Sequence, residues 1–429
     1  EGSGGSGVRL RAFTRQSLRV VDDDAGDANS AAGAGAPVRG TSGAFWAATR
    51  CAVGPSNSGG GGVGCSAYVA TGKAVYAVAD LHGDDGTDLG GGSQQGYILG
   101  KEGVTLPVES PRAASLVPLR AFAHRHEVQS VALWDEAASA RQFLASVDST
   151  GSLCVCEFQG GGSGAEGPRR GLGLAPQRSY QGLPASCAAM EAGWAGVALG
   201  RSQPTKAVVA RHFPKDLNVF DGDLRARTIR TIQNPTAIRV FDEETYLVAE
   251  TNKLALYDLR VGEREVCVQY LQLNEMVACL AVGTEGMPGG LQVASGVGRT
   301  VALWDARKWN ILKRFSGLRQ EPCGLTFLKS KPEALCVASM NGEINILGYG
   351  NAASTANTSH SEERPLAQAP PQSHQRQRGK KKFHVHASLR GDSRWIGLCT
   401  QHAQAAASWP KTDRCICLGA SGGLYTITI

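Results

Sequence analysis

The sequence predicts an all-β chain built as a ring of short four-stranded sheets, and three observations carry that prediction. Short apolar runs recur in groups of four, divided by turn residues. The third run of two successive groups ends alike, Leu256-Tyr257-Asp258-Leu259-Arg260 and Leu303-Trp304-Asp305-Ala306-Arg307. The final group, from Trp395 to Ile429, is one run short, and apolar stretches at Val8–Phe13 and Ser17–Val21 can supply it. A length of 429 residues suggests two or three domains, but an internal repeat overrides that prior.

Taken in chain order, the first unit spans 44–108, with strands expected at Ala44–Val53, Ser66–Ala70, Ala74–Asp80 and Val104–Val108. The second, 122–180, has Val128–Trp134, Phe143–Ser146, Ser152–Phe158 and an outer strand near Tyr180. The third, 186–231, has Ser186–Leu199, Ala207–His212, Leu217–Asp221 and Ala226–Thr231. The fourth, 237–271, has Ala237–Phe241, Tyr246–Glu250, Lys253–Asp258 and Val266–Leu271. The fifth, 276–315, has Met276–Val282, Leu291–Ser295, Thr300–Asp305 and Ile311–Phe315. The sixth, 323–389, has Cys323–Leu328, Leu335–Ser339, Glu343–Gly348 and, after a long insertion, Phe383–Leu389. The seventh, 395–429, has Trp395–Cys399, Cys415–Ala420 and Leu424–Ile429, and residues 8–21 close it. Closure matters because an unpaired strand edge invites aggregation. The expected architecture is a single closed β-propeller of about seven four-stranded blades. Segments 22–41, 54–64, 82–95, 160–177 and 351–379 are rich in Gly, Ala and Ser without apolar periodicity, and are expected as mobile insertions on the rims.

Composition narrows the function classes. The chain is 42% hydrophobic and 19% charged with a net charge of +6, a mild excess that does not compel a nucleic-acid partner. Its 12 cysteines sit mostly inside apolar runs such as Glu265-Val266-Cys267-Val268 and Ala334-Leu335-Cys336-Val337, where they read as small buried hydrophobes in a reducing compartment. No apolar run approaches the length of a membrane span, and no signal peptide is visible, although the sequence opens at Glu1 without a methionine. The expectation is an intracellular, monomeric ring in the cytoplasm or nucleus, with no membrane partner and no cofactor.

Phe122-Ala123-His124 precedes Val128 by a short turn, and Ser146 with the turn Asp148-Ser149-Thr150-Gly151 follows. With the Trp304-Asp305 pair, these residues resemble the WD-repeat family, Ala123 replacing the Gly of its Gly-His dipeptide. The resemblance covers nearly the whole chain as architecture and is strong in motif in two or three units; Gly317-Leu318 stands where another Gly-His would be. It implies a stiff ring that presents binding surfaces to other proteins. It also implies a structural relay in which His124 bonds Ser146 and either Asp148 or Ser149.

The Trp-Asp-x-Arg endings have two readings. In one, Trp304 and Tyr257 pack between blades while Asp305 and Asp258 close turns. In the other, the endings resemble the box through which some WD-repeat proteins dock on the adaptor of cullin-4 ubiquitin ligases, with Arg307 and Arg260 as exposed contacts. The acidic residue such boxes carry in the preceding turn is absent; Gly298 stands near that position.

Other motifs carry less. Gly419-Ala420-Ser421-Gly422-Gly423 matches a nucleophile elbow, but a strand follows it rather than a helix, so it reads as a β-turn. Cys154/Cys156 and Cys415/Cys417 are each spaced for one face of a strand and read as core. His374, His384 and His386 have no nearby cysteine or carboxylate to complete a metal set. Arg390-Gly391-Asp392 reads as the turn into the last unit with Trp395 behind it, and Asn357-Thr358-Ser359 matters only on a secreted chain. The basic run Arg376, Arg378, Lys380, Lys381 and Lys382 suits a nuclear import signal, a phosphate anchor or a solvated loop. No catalytic residue is expected. The sequence therefore predicts a non-catalytic interaction scaffold of a multiprotein complex; its alternatives are a cullin-4 substrate receptor and a nucleic-acid-associated nuclear factor.

Overall fold

The computed structural model describes residues 8, 10–20, 47–55, 65–79, 96–100, 103–110, 113–136, 141–159, 176–184, 193–283, 291–331, 333–349, 384–403 and 412–429. Three of the segments expected to be mobile, and most of the other two, lie outside them, as do the basic run and Asn357.

Every named element among the described residues is a strand. The chain begins with β1 (Ala12–Val20), β2 (Cys51–Pro55), β3 (Cys65–Thr71) and β4 (Ala74–Ala79), followed by short β5 (Ile98–Leu99), β6 (Val104–Leu106) and β7 (Val108–Glu109), then β8 (Ala114–Pro118). Four sheets of four strands follow in sequence. They are β9 (Val128–Glu136) to β12 (Pro176–Gly182) through β10 (Arg141–Asp148) and β11 (Leu153–Gln159), and β13 (Ala195–Leu199) to β16 (Leu224–Arg230) through β14 (Lys206–Arg211) and β15 (Asp216–Asp221). Next come β17 (Pro235–Val240), β18 (Thr245–Glu250), β19 (Lys253–Asp258) and β20 (Cys267–Gln272), then β21 (Val277–Val282), β22 (Gln292–Val297), β23 (Thr300–Asp305) and β24 (Asn310–Phe315). The chain ends with β25 (Pro322–Phe327), β26 (Ala334–Ser339), β27 (Glu343–Gly348), β28 (His384–Arg390), β29 (Trp395–Ala403), β30 (Thr412–Gly419) and β31 (Gly423–Thr428).

Burial explains why the middle strands are readable as continuous apolar runs. Each sheet packs against a neighbour on both faces, so β18 and β26 are buried at every residue. Outer strands face water and lose the pattern, as in β16 and β20. The core lies between sheets. Ala237, Leu247 and Leu254 of one sheet, for example, pack with Leu280, Val293 and Trp304 of the next.

The first strands of the sheets form a cycle: β2 lies beside β9, β9 beside β13, β13 beside β17, β17 beside β21, β21 beside β25, β25 beside β29, and β29 beside β2. A nine-stranded sheet of order β2-β3-β4-β8-β1-β31-β30-β29, with β7 at its side, is thereby nearly closed. Its centre is β1, which pairs antiparallel with β31 from Ala12↔Thr428 to Ser17↔Gly423. The same strand then runs parallel to β8, Leu18 opposite Ala114. The missing strand of the last unit is thus supplied by Ala12–Ser17, which straddles the two stretches expected as alternatives, while Leu18–Val20 pair with β8 instead.

Two boundaries differ from expectation. Val104–Val108 is not the fourth strand of the first unit. Val104–Leu106 instead pairs parallel with β28, adding β6 and β5 to the sheet of β25–β28, while β8 takes the place beside β4. The reason is burial: Ala114 and Leu116 are fully covered, whereas in β6 only Thr105 is buried. Second, the run Ser186–Leu199 yields a strand only over Ala195–Leu199, and part of the remainder lies outside the described residues.

Candidate functional site

The turns that carry the candidate residues form for local reasons. The β22–β23 hairpin closes over Gly298-Arg299, and Gly298 has φ 53°, where a Cβ would also collide with the Glu275 carboxylate. Where the adaptor box would carry an acidic side chain of its own, Glu275 therefore reaches over the glycine from outside the hairpin.

At the far end of β23, the Asp305 carboxylate accepts the backbone N–H of Arg307 at 2.9 Å and so closes the following turn. Trp304 is 2% exposed and its indole N–H donates to the Ser295 hydroxyl at 2.8 Å. Arg307 is exposed, and its side chain has no partner among the described residues. The end of β19 repeats this plan with different detail. Tyr257 is fully buried and its hydroxyl donates to Glu250, whose other oxygen accepts the Gln233 N–H at 2.6 Å. Burial raises the Glu250 carboxyl above its ordinary value despite those bonds. Asp258 accepts the Arg260 N–H at 3.0 Å and pairs with its guanidinium at 2.6 Å, and that hydrogen bonding holds its carboxyl below the usual range.

Of the six residues singled out, then, Trp304 and Tyr257 are interior and cannot touch a partner. Asp305 and Asp258 organise turns. Arg307 and Arg260 reach solvent, the former unengaged and the latter held against Asp258 while still 69% exposed. Asp258 pairs with Thr245 and Asp305 with Gln292, which puts both arginines at the end of the ring where the innermost strands finish.

The relay is formed on its serine side, and His124 Nδ1 has no hydrogen-bond partner among the described residues. His124 Nε2 lies 2.7 Å from the Ser146 hydroxyl, and Nδ1 lies 3.6 Å from Asp148 Oδ2. Asp148 also accepts from Thr150 N–H and hydroxyl and from Ser152 N–H at 2.7–3.1 Å. Burial pushes its carboxyl up, but nearby His124 and the bonds from Thr150 outweigh burial and hold it below its ordinary value. The side chain facing Nδ1 is Asp148 rather than Ser149, and the bond to Ser146 ties the approach of β9 to β10.

The Gly419–Gly423 segment is the β30–β31 turn, with Ser421 bonded to Ser393 and Asp392. Arg390-Gly391-Asp392 is the turn into β29, where Asp392 pairs with Arg15 of the closing strand at 2.9 Å and its N–H donates to the Tyr425 hydroxyl at 3.1 Å. A Cβ at Gly391 would strike the Trp395 ring. The cysteines among the described residues are free, and no group of three metal-ligating side chains occurs there. No helix among them is long and apolar enough to cross a membrane.

One feature escaped the sequence reading. A cavity of about 410 Å³ lies on the axis of the ring, walled by residues of every strand in the inner cycle. Sequence patterns give a strand's two faces but not the space enclosed when the first strands converge, and the signal available was a lone basic residue, Arg239, inside an innermost apolar run.

No protein-family model matches the chain, and no curated protein matches it in sequence. Among solved structures, a chain in the crystal structure of the mitotic checkpoint complex is similar over 90% of this chain and 91% of its own, with a TM-score of 0.52 and 10% identity. That likeness speaks for the fold: all-β and propeller-like.

Proposed function

We propose that this chain is a WD-repeat propeller acting as a non-catalytic interaction scaffold of a multiprotein complex in the cytoplasm or nucleus. The nine-stranded sheet is read as two blades fused along β1, which makes seven blades in all. The carrying observation is the ring itself: its inner strands neighbour one another in an unbroken cycle, and β1 ties the last strands to the first. Such a ring holds strand ends and loops at fixed positions, the condition under which surface residues gain specificity. The structural likeness to a chain of a multiprotein assembly is consistent with this reading.

A second reading, docking on the cullin-4 ligase adaptor, is favoured by one observation. Arg307 and Arg260 are both exposed at the same end of the ring, each following an Asp that shapes its turn. Affinity capture of the intact protein, with the Arg307→Glu/Arg260→Glu double variant as control, tests both. A reproducible set of partners supports the scaffold. Adaptor and cullin-4 within that set, lost in the variant, support the receptor. A chain recovered alone contradicts both.

A further inference from the structure

The axial cavity contains a charge that no described residue neutralises. Among its described lining residues are two cations, Arg239 and Lys329, and no carboxylate. Arg239 sits on β17, partly buried, and its guanidinium donates to the Ile238 carbonyl at 2.9 Å. No acidic side chain pairs with it among the described residues. Lys329 differs: it is exposed, and its charge acts on the nearby Asp135 carboxylate. Among the described residues, Arg239 is therefore the uncompensated cation of the cavity.

Other charged residues close to the ring's inner strands have partners. Arg50 meets Glu127 at 2.5 Å, and Arg211 forms a two-point pair with Asp216 at 2.5 and 2.8 Å. Against that pattern the environment of Arg239 is distinctive. Removing a guanidinium from water without an anion is costly, and burial lowers its proton affinity from the ordinary arginine value. A bound carboxylate restores what is lost, because the planar fork donates to two oxygens at once.

The rest of the wall decides what carries that carboxylate. Val131, Leu133, Val197, Leu199, Val240 and Leu325 surround the space with aliphatic surface. Its volume falls within the roughly 300–1,000 Å³ typical of small-molecule sites. We propose that the axial cavity binds a small aliphatic carboxylate, its acid on Arg239 and its hydrocarbon body against the inner strands. The site is independent of the protein-binding reading, since Arg239 lines the axial cavity while Arg307 and Arg260 stand in exposed turns at one end of the ring and do not line it.

Isothermal titration of the full chain tests this with three probes: octanoate, which has charge and body; octanol, which has body alone; and inorganic phosphate, which has charge alone. Octanoate should bind at one per chain, and octanol and phosphate at least tenfold more weakly. Arg239→Leu, which removes the uncompensated charge, should weaken octanoate at least tenfold. Lys329→Gln should change it less than threefold. Arg239→Gln is the companion should the leucine variant fail to fold, with a thermal melt to establish folding. The proposal is overturned if octanoate does not bind, binds at several per chain, binds folded Arg239 variants as tightly, or is matched by octanol or phosphate.

Discussion

At the residue scale, two positions make separate demands. The β18–β19 hairpin turns through Thr251-Asn252, and Thr251 holds φ 45°, a left-handed conformation that costs a β-branched residue strain. The equivalent turn of the next sheet uses Gly298. Thr251→Asn should therefore stabilise the protein by about 1 kcal/mol in denaturant unfolding; an unchanged or lower midpoint would contradict the strain. Asp148 makes a pH-dependent demand. Its folded value is depressed, so its contribution is complete above the ordinary 3.8 and is lost as pH falls through the lower folded value. Asp148→Asn should lower stability at neutral pH and flatten the acid limb of the stability profile. A parallel downward shift at every pH would show that the charge plays no part. These roles were partly legible: the resemblance to WD repeats implied a relay from His124 to Ser146 and either Asp148 or Ser149, while the strain at Thr251 requires a backbone angle that no pattern of side chains reveals.

At the scale of elements, the closing strand carries the heaviest load. Phe13 of β1 is fully buried and stacks on Tyr425 of β31 with ring centroids 5.9 Å apart. Its truncation to Ala should cost about 3–5 kcal/mol, the usual range for a buried aromatic. Removing residues 1–20 should do more, because it exposes the β31 edge and frees β8 from its parallel partner. Light scattering should show aggregation of the truncated chain under conditions where Phe13→Ala is merely less stable; a monomeric, cooperatively folded truncation would contradict the role given to β1. The middle strands could be read from sequence because burial on both faces makes them continuously apolar. β8 could not, because Pro118 ends it and only Ala114 and Leu116 point fully inward. β6 misled for the opposite reason, being apolar at Val104 and Leu106 yet mostly uncovered, between β28 and the short edge strand β5.

For the whole molecule, the ring was legible because closure is arithmetic: the final group lacks a strand and the N-terminus holds a spare one. What the ring encloses and what it meets were not legible. Arg239 gains significance only when the inner strands converge, whereas Arg307 and Arg260 stood out from the resemblance of their strand endings, and the structure adds that both reach solvent at one end of the ring. The central claim, a monomeric ring working inside a larger assembly, is tested most directly by gel filtration of native lysate beside the purified chain. The purified protein should elute near its own mass of 44.9 kDa, and the lysate protein well above it. Elution of both at the mass of the single chain would contradict the account.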